Sequence, residues 1–138
     1  MLKFLFCVLI SALIVRGELD YVRPPQSEMT KLIETSLYCI TETNADADTL
    51  QKIITWSFKN SSKVREYLFC FLNRAGYADD EGRLLKNNIL PNVGHHKKKD
   101  EFEKVLDECN KLDGKDKLDR TFKISVCVHD KTPIMFTL

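Results

Sequence analysis

Apolar residues recur at steps of three and four along most of the chain, which is the spacing of one face of an α-helix. The long segments beyond the first 17 residues lack the apolar–polar alternation that is typical of half-buried strands. We therefore predict six helices and no internal repeat. The first is expected over residues 28–41. The second is capped by Asp46 or Asp48 and reaches Trp56, and the third begins at Ser61 or Ser62 and stops at Gly76. The last three are expected over residues 81–90, 98–112 and 117–129.

The first predicted helix carries the longest apolar stripe. Its members are Met29, Leu32, Ile33, Leu37 and Ile40, and we expect them to face the core together.

The first residues of the chain resemble a secretory leader. Residues 1–3 are a short basic head, residues 4–15 are apolar, and Val15-Arg16-Gly17 ends on a small residue. The apolar run is shorter than the roughly 20 residues that cross a bilayer. We predict a signal peptide over residues 1–17, a secreted protein without a membrane span, and a single helical domain over 18–138 that is too small to divide in two.

Charge gives little information about partners. The formal net charge of the whole chain is +1, and removal of Lys3 and Arg16 with the leader takes it to about −1. The basic run His95 to Lys99 has no interleaved aromatic residues and is followed at once by Asp100 and Glu101. We therefore predict no nucleic-acid partner.

Four cysteines remain after the leader, because Cys7 would leave with it. They are Cys39, Cys70, Cys109 and Cys127. In a small secreted domain they are expected to form two disulfides, and three pairings are open from the sequence alone.

The cysteine spacing on six predicted helices resembles that of the insect odorant-binding proteins (PBP/GOBP family). That family has six cysteines, with three residues between the second and third and eight between the fifth and sixth. Here Glu66 and Leu118 occupy the positions of the second and fifth. The second and fifth cysteines are bonded to each other in the family. Their joint absence is typical of its four-cysteine C-minus subclass.

The resemblance implies a fold, a pairing and a function. The fold is an all-α, six-helix, disulfide-bridged domain enclosing an apolar cavity, and the pairing is Cys39 with Cys70 and Cys109 with Cys127. The function is carriage of small hydrophobic molecules, such as odorants, pheromones or lipid-like ligands, through aqueous fluid. It implies no enzyme activity and no cofactor. A chemoreceptor could be a further partner, and a monomer or weak dimer is expected.

Cavity-lining residues are expected at positions set by the cysteines, although ordinary core packing is the better explanation for most apolar residues and only about half of the set is expected to touch a ligand. The expected residues are Met29, Leu32, Ile53, Trp56, Leu68, Leu72, Leu84, Ile89, Leu106, Ile124 and Val128. The tail after Pro133 is too apolar for a free end in water. We expect Ile134, Met135 and Phe136 to form a lid or wall of the cavity, with Ile134 and either Phe136 or Met135 turned inward.

Sharper chemical motifs fail on inspection, so no catalytic and no metal-binding residues are predicted. The segment 44–48 begins like a calcium loop, but Thr49 and Thr55 replace its glycine and closing glutamate. His95 and His96 are expected to be solvated, and His129-Asp130 has no nucleophile beside it. The alternative function is a secreted helical signalling or toxin-like protein, which would act through its surface with a filled core.

Overall fold

Six helices form most of the computed structural model, which describes residues 19–137. The helices are α1 (Gln26–Thr43), α2 (Ala47–Ile54), α3 (Ser62–Arg74), α4 (Lys86–Ile89, continued by a 3-10 turn over Leu90–Val93), α5 (Lys99–Cys109) and α6 (Lys117–Lys131). The predicted six-helix fold class is confirmed. The predicted signal peptide lies outside the described residues. Within the described part, no helix is both long and apolar enough to cross a membrane.

Side-chain caps begin three of the helices. Asp46 accepts a hydrogen bond from the Thr49 amide at 2.7 Å at the start of α2, and Ser61 accepts one from Val64 at 3.3 Å at the start of α3. Asp116 does the same for α6. These contacts satisfy amides that a helix leaves unpaired at its first turn. Asp46 is therefore a helix cap.

The prediction of a helix over residues 81–90 is wrong in its first half. The Asp79 carboxylate accepts hydrogen bonds from the amides of Glu81 at 2.9 Å and Arg83 at 3.0 Å, which closes a turn that competes with a helix. Gly82 has a φ of 83°, a left-handed conformation that favours glycine. The helix consequently begins only at Lys86.

The prediction that α5 continues to residue 112 is also wrong. α5 ends at Cys109, and the next residue, Asn110, uses its side chain elsewhere. Its Oδ1 accepts from the Leu84 amide at 2.8 Å and its Nδ2 donates to the Leu84 carbonyl at 3.0 Å. The end of α5 is thereby fixed against the segment that precedes α4.

The predicted inward stripe of α1 is wrong for two of its members. Leu32, Thr35 and Cys39 are buried, whereas Ile33 is 55% exposed and Leu37 62% exposed. Positions 32, 35 and 39 share one helix face, and bonding of Cys39 to α3 fixes that face inward. Ile33 and Leu37 are rotated away from it.

Two disulfides hold four of the six described helices in two pairs. Cys39 bonds Cys70 between α1 and α3, with an S–S distance of 2.07 Å, and Cys109 bonds Cys127 between α5 and α6 at 2.11 Å. This is the pairing that the resemblance implies.

Most of the buried apolar residues form one group, here called the central cluster. Its buried members are Leu32, Ala75, Tyr77, Ala78, Leu84, Ile89, Leu90, Val93, Phe102, Val105, Leu106, Cys109, Ile124 and Ile134. Val22, Phe71, Leu72, Cys127 and Val128 pack against it. A smaller cluster of Cys39, Ala45 and Tyr67 lies where α1 meets α3, and Phe71 contacts both groups.

A two-stranded parallel sheet, which was not predicted, joins the two ends of the described chain. β1 (Asp20–Val22) pairs with β2 (Ile134–Phe136), with Asp20 opposite Ile134 and Val22 opposite Phe136. The Asp20 amide donates to the Pro133 carbonyl at 3.2 Å. The sheet places Ile134 in the central cluster, where it is 2% exposed.

Candidate ligand-binding core

Eight of the fourteen residues predicted to line a ligand cavity lie together in or against the central cluster. They are Leu32, Leu72, Leu84, Ile89, Leu106, Ile124, Val128 and Ile134. They come from α1, α3, α4 and the segment before it, α5, α6 and β2. Residues far apart in sequence thus converge on one apolar region.

The other six predicted residues lie outside this cluster. Leu68 is buried at 7% exposure, and Ile53 packs against the smaller cluster. Met29 and Met135 are half-buried, whereas Trp56 and Phe136 are the most exposed of the fourteen.

Trp56 belongs to a separate aromatic group on the surface of α6. Its ring stacks on His129, with centroids 4.0 Å apart, and lies 5.1 Å from the ring of Phe58. Phe58 in turn meets Phe122 edge-on at 5.8 Å. Trp56 also has a φ of 52°, which bulky residues rarely adopt. The turn after α2 is therefore held against α6 by ring contacts.

The tail after Pro133 lies against the core in a fixed register. Ile134 is buried, Met135 is half-buried, and the Phe136 ring meets Phe102 edge-on at 5.9 Å. Ile134 and Phe136 are two residues apart in a strand and so share a face. The position fits a wall of the core, and the lid function stays a prediction.

Clefts on the surface of residues 19–137 include two of different size. The larger, of about 510 Å³, is lined by Pro25, Ser27, Glu28, Lys31, Ala75, Gly76, Asn87, Asn88, Pro91 and Asn92. The smaller, of about 250 Å³, is lined by Thr49, Lys52, Ser57, Phe58, Lys59, Ser61 and Val64. Neither is lined by any of the fourteen predicted residues. Both are open to solvent, and the larger borders the central cluster at Ala75.

A hydrogen-bonded network borders the larger cleft. The Tyr77 hydroxyl donates to Glu28 at 2.5 Å and accepts from the Asn92 side chain at 3.0 Å, and Lys31 pairs with Glu28 at 2.8 Å. Burial, together with the Glu28 carboxylate, raises the pKa of Tyr77 to about 12. The hydrogen bonds from Lys31 and Tyr77 lower the pKa of Glu28. Glu28 and Tyr77 are too far apart in sequence for any local signal to predict their contact.

Two histidines, His96 and His129, lie close to acidic side chains. His96 is not simply solvated as predicted, because its Nε2 lies 3.3 Å from Asp20 and its Nδ1 accepts from the Lys98 amide at 3.0 Å. His129 lies 3.3 Å from Asp130. In the described part of the chain, no three histidine, cysteine, aspartate or glutamate residues are placed to hold a metal ion.

Comparison with known families decides where the chain belongs. The model of the PBP/GOBP family matches residues 23–131, which include α1 to α6 and both disulfides. The chain belongs to the PBP/GOBP family. The family and its fold are those of odorant-binding carriers of small hydrophobic molecules, not of enzymes.

Solved structures similar to this PBP/GOBP chain are insect proteins. A fatty acid binding protein, OBP56a, from the oral disk of the blowfly Phormia regina has a TM-score of 0.65 and 19% identity, covering 78% of this chain and 93% of its own. The odorant-binding protein dmelOBP28a of Drosophila melanogaster has a TM-score of 0.66 and 16% identity, covering 77% of this chain and 93% of its own. The odorant-binding protein lmigOBP1 of Locusta migratoria has a TM-score of 0.66 and 19% identity, covering 81% of this chain and 87% of its own. At these identities the likeness shows the fold alone. The search of curated proteins gave no match.

Proposed function

We propose that this protein is a secreted carrier that binds small hydrophobic molecules within its central cluster and transports them through aqueous fluid. Odorants, pheromones and lipid-like molecules are the ligand classes. Secretion follows removal of residues 1–17. Glu66 and Leu118 stand at two vacated cysteine positions, which supports placement in the C-minus subclass. A chemoreceptor partner and a monomeric or weakly dimeric state remain predictions.

The convergence of eight predicted residues on one apolar core carries this proposal. Side chains of Leu106, Ile124 and Ile134 are at most 2% exposed there. All three belong to the packed central cluster, so a ligand enters only when side chains of that cluster move apart. The bridges Cys39–Cys70 and Cys109–Cys127 hold the helices that frame the core while it opens.

Simple energetics place the affinity in a range suited to a carrier. Burial of about 400 Å² of apolar ligand surface yields about 10 kcal/mol at roughly 25 cal/mol per Å². Association costs at least about 4 kcal/mol of this. The remaining 6 kcal/mol or so corresponds to a Kd of tens of micromolar. Such binding allows both loading and release.

Displacement of a fluorescent apolar probe tests the proposal. We expect saturable probe uptake that long-chain ligands reverse, and about tenfold weaker uptake in Val128→Phe, because the larger ring fills the interior. Leu37→Phe, on the exposed face of α1, is the matched control and should bind like the unmodified protein. Equal uptake by both variants would place the probe outside the central cluster and contradict the proposed site.

The alternative function is a helical signalling or toxin-like protein that acts through its surface. The exposed side chains of Ile33 and Leu37 favour it, because they form an apolar stripe on α1 that no described residue covers. A folded protein that takes up no probe and is not displaced by any apolar ligand would favour this alternative.

A further inference from the structure

The inward face of α6 contains one polar group that the fold does not satisfy. Thr121, Ile124, Ser125 and Val128 share this face at steps of three and four, and Ile124 and Val128 belong to the central cluster or pack against it. Ser125 is 9% exposed, and its Oγ is buried with no hydrogen-bond partner among the described residues.

Thr121, one turn earlier in α6, has a hydroxyl with hydrogen-bond partners. Its Oγ1 lies 2.8 Å from the Lys117 carbonyl and 3.0 Å from the Gly82 carbonyl. A buried serine in a helix commonly bonds the carbonyl four residues back in the same way. The Ser125 hydroxyl makes no such bond. Burial of an unpaired hydroxyl costs free energy, which a hydrogen-bonding ligand would recover.

We propose that Ser125 is the polar anchor of the ligand site, where its hydroxyl hydrogen bonds the single head group of a long-chain, uncharged amphiphile such as an alcohol or aldehyde. This rests on the proposed function, because it requires the ligand chain to occupy the central cluster beside Ile124 and Val128. A serine hydroxyl both donates and accepts, so it suits either head group.

The lack of a buried basic side chain among residues 19–137 favours a neutral head group. Among the described residues, the buried polar side chains are Thr35, Asn92, Thr121, Ser125 and Thr132, and none is basic. An ionised carboxylate at the depth of Ser125 would lack a counter-charge, and an unpaired buried charge is far more costly than a buried hydroxyl. The site therefore discriminates against the ionised form of a fatty acid.

Probe displacement by dodecanol, dodecane and dodecanoate at neutral pH tests the anchor. In the unmodified protein, dodecanol should bind more tightly than dodecanoate. Ser125→Ala should weaken dodecanol binding about three- to tenfold, the effect of one lost hydrogen bond, and leave dodecane binding unchanged. The variant should also melt at the same or a higher temperature than the unmodified protein, because it removes an unsatisfied group.

Ser36→Ala is the matched control, because the Ser36 hydroxyl is already hydrogen bonded to Tyr67 at 2.8 Å and lies away from the central cluster. It should leave the dodecanol-to-dodecane affinity ratio unchanged. An unchanged ratio in Ser125→Ala, or tighter binding of dodecanoate than of dodecanol, would overturn the anchor. If the unmodified protein binds none of the three, the proposed function itself fails.

Discussion

Thr137 donates a backbone hydrogen bond to the carbonyl of Val22 at 2.9 Å, so the tail and the start of the described chain form one unit. Asp20, at the other end of β1, lies 3.3 Å from both His96 and Lys98. The strand pair is therefore fixed to the segment that leads into α5. Ile134 of β2 lies in the central cluster, and Val22 of β1 packs against that cluster.

Truncation after Lys131 should weaken both the fold and the retention of ligand. It removes Ile134 from the central cluster, and loss of a buried side chain of this size costs about 2 to 5 kcal/mol. Helix content should stay unchanged, because every helix lies upstream of the cut. We expect several-fold faster ligand release in stopped-flow experiments, together with a lower denaturation midpoint.

Phe136→Ala is the control for this truncation. It keeps the strand pairing but removes the edge-on contact with Phe102, so it should lower stability by less than the truncation does. Unaltered affinity and release in a folded truncated protein would show that the tail packs on the core without gating it.

Tyr77→Phe should destabilise the protein by about 1 to 3 kcal/mol. The change leaves the buried Asn92 without the hydroxyl to which it donates, and it removes a hydrogen bond to Glu28. Chemical denaturation at neutral pH measures the effect. Tyr21→Phe is a suitable control because Tyr21 is 67% exposed. Equal stability of the two variants would contradict a structural role for the network.

The same network predicts how stability depends on pH. Because the fold lowers the pKa of Glu28 below its ordinary 4.5, this residue stabilises the fold above that pH, and the contribution is lost as pH falls through the lowered pKa. The pKa of Tyr77, raised to about 12, affects stability at alkaline pH. Its contribution is present below the ordinary value of 10 and is lost as pH rises through about 12.

Glu28→Gln isolates the acid limb of this profile. The variant should lose less stability than the unmodified protein when pH is lowered from about 5 to about 3, since it has no carboxylate to protonate. Denaturation midpoints across this range provide the measurement. Parallel losses in the two proteins would mean that other carboxylates control the acid limb.

Local chemistry explains which parts of the fold could be predicted. The caps at Asp46 and Ser61 and the periodicity of α6 depend on neighbours within a few residues. The parallel pairing of β1 with β2 brings together segments separated by more than a hundred residues, and each strand is too short to show alternation. Residues 81–85 have the apolar spacing of a helix but form a turn, because the Asp79 side chain bonds two of their amides. Apolar periodicity gives no information about such side-chain hydrogen bonds.

The candidate site was predictable to the extent that the cysteines fix the helix faces. Leu106 and Ile124 each lie three residues before a bonded cysteine, and both are buried in the central cluster, while their contact with a ligand stays a prediction. Trp56 follows the end of α2, where no bridge constrains the chain, and its contact is with His129. The unsatisfied Ser125 hydroxyl is visible only once every possible partner has a position.

Trp56 should report on ligand binding through His129. The two rings stack at 4.0 Å, and His129 follows Val128, which packs against the central cluster. We expect dodecanol to change Trp56 emission saturably in the unmodified protein. In His129→Ala the change should be lost or strongly reduced while probe displacement persists. A full emission change in that variant would mean that Trp56 contacts the ligand itself.

A third disulfide should form when cysteines replace Glu66 and Leu118. α3 packs along α6, and Lys117 lies 4.8 Å from the centre of the Phe69 ring, one turn beyond Glu66. Both positions are half-buried. Glu66 lies 3.8 Å from Lys63 in an ion pair. Closing the loop between 66 and 118 is worth about 4 kcal/mol in the chain-entropy model.

Peptide mapping without reduction should find the new bridge beside Cys39–Cys70 and Cys109–Cys127, and the melting temperature should rise by several degrees. Each single variant serves as a control and should show one free thiol and no gain in stability. A bond needs the two Cα atoms to lie about 4.4 to 6.8 Å apart. Two free thiols in the folded double variant would therefore show that these positions do not face each other, and the alignment that supports the C-minus subclass would fail.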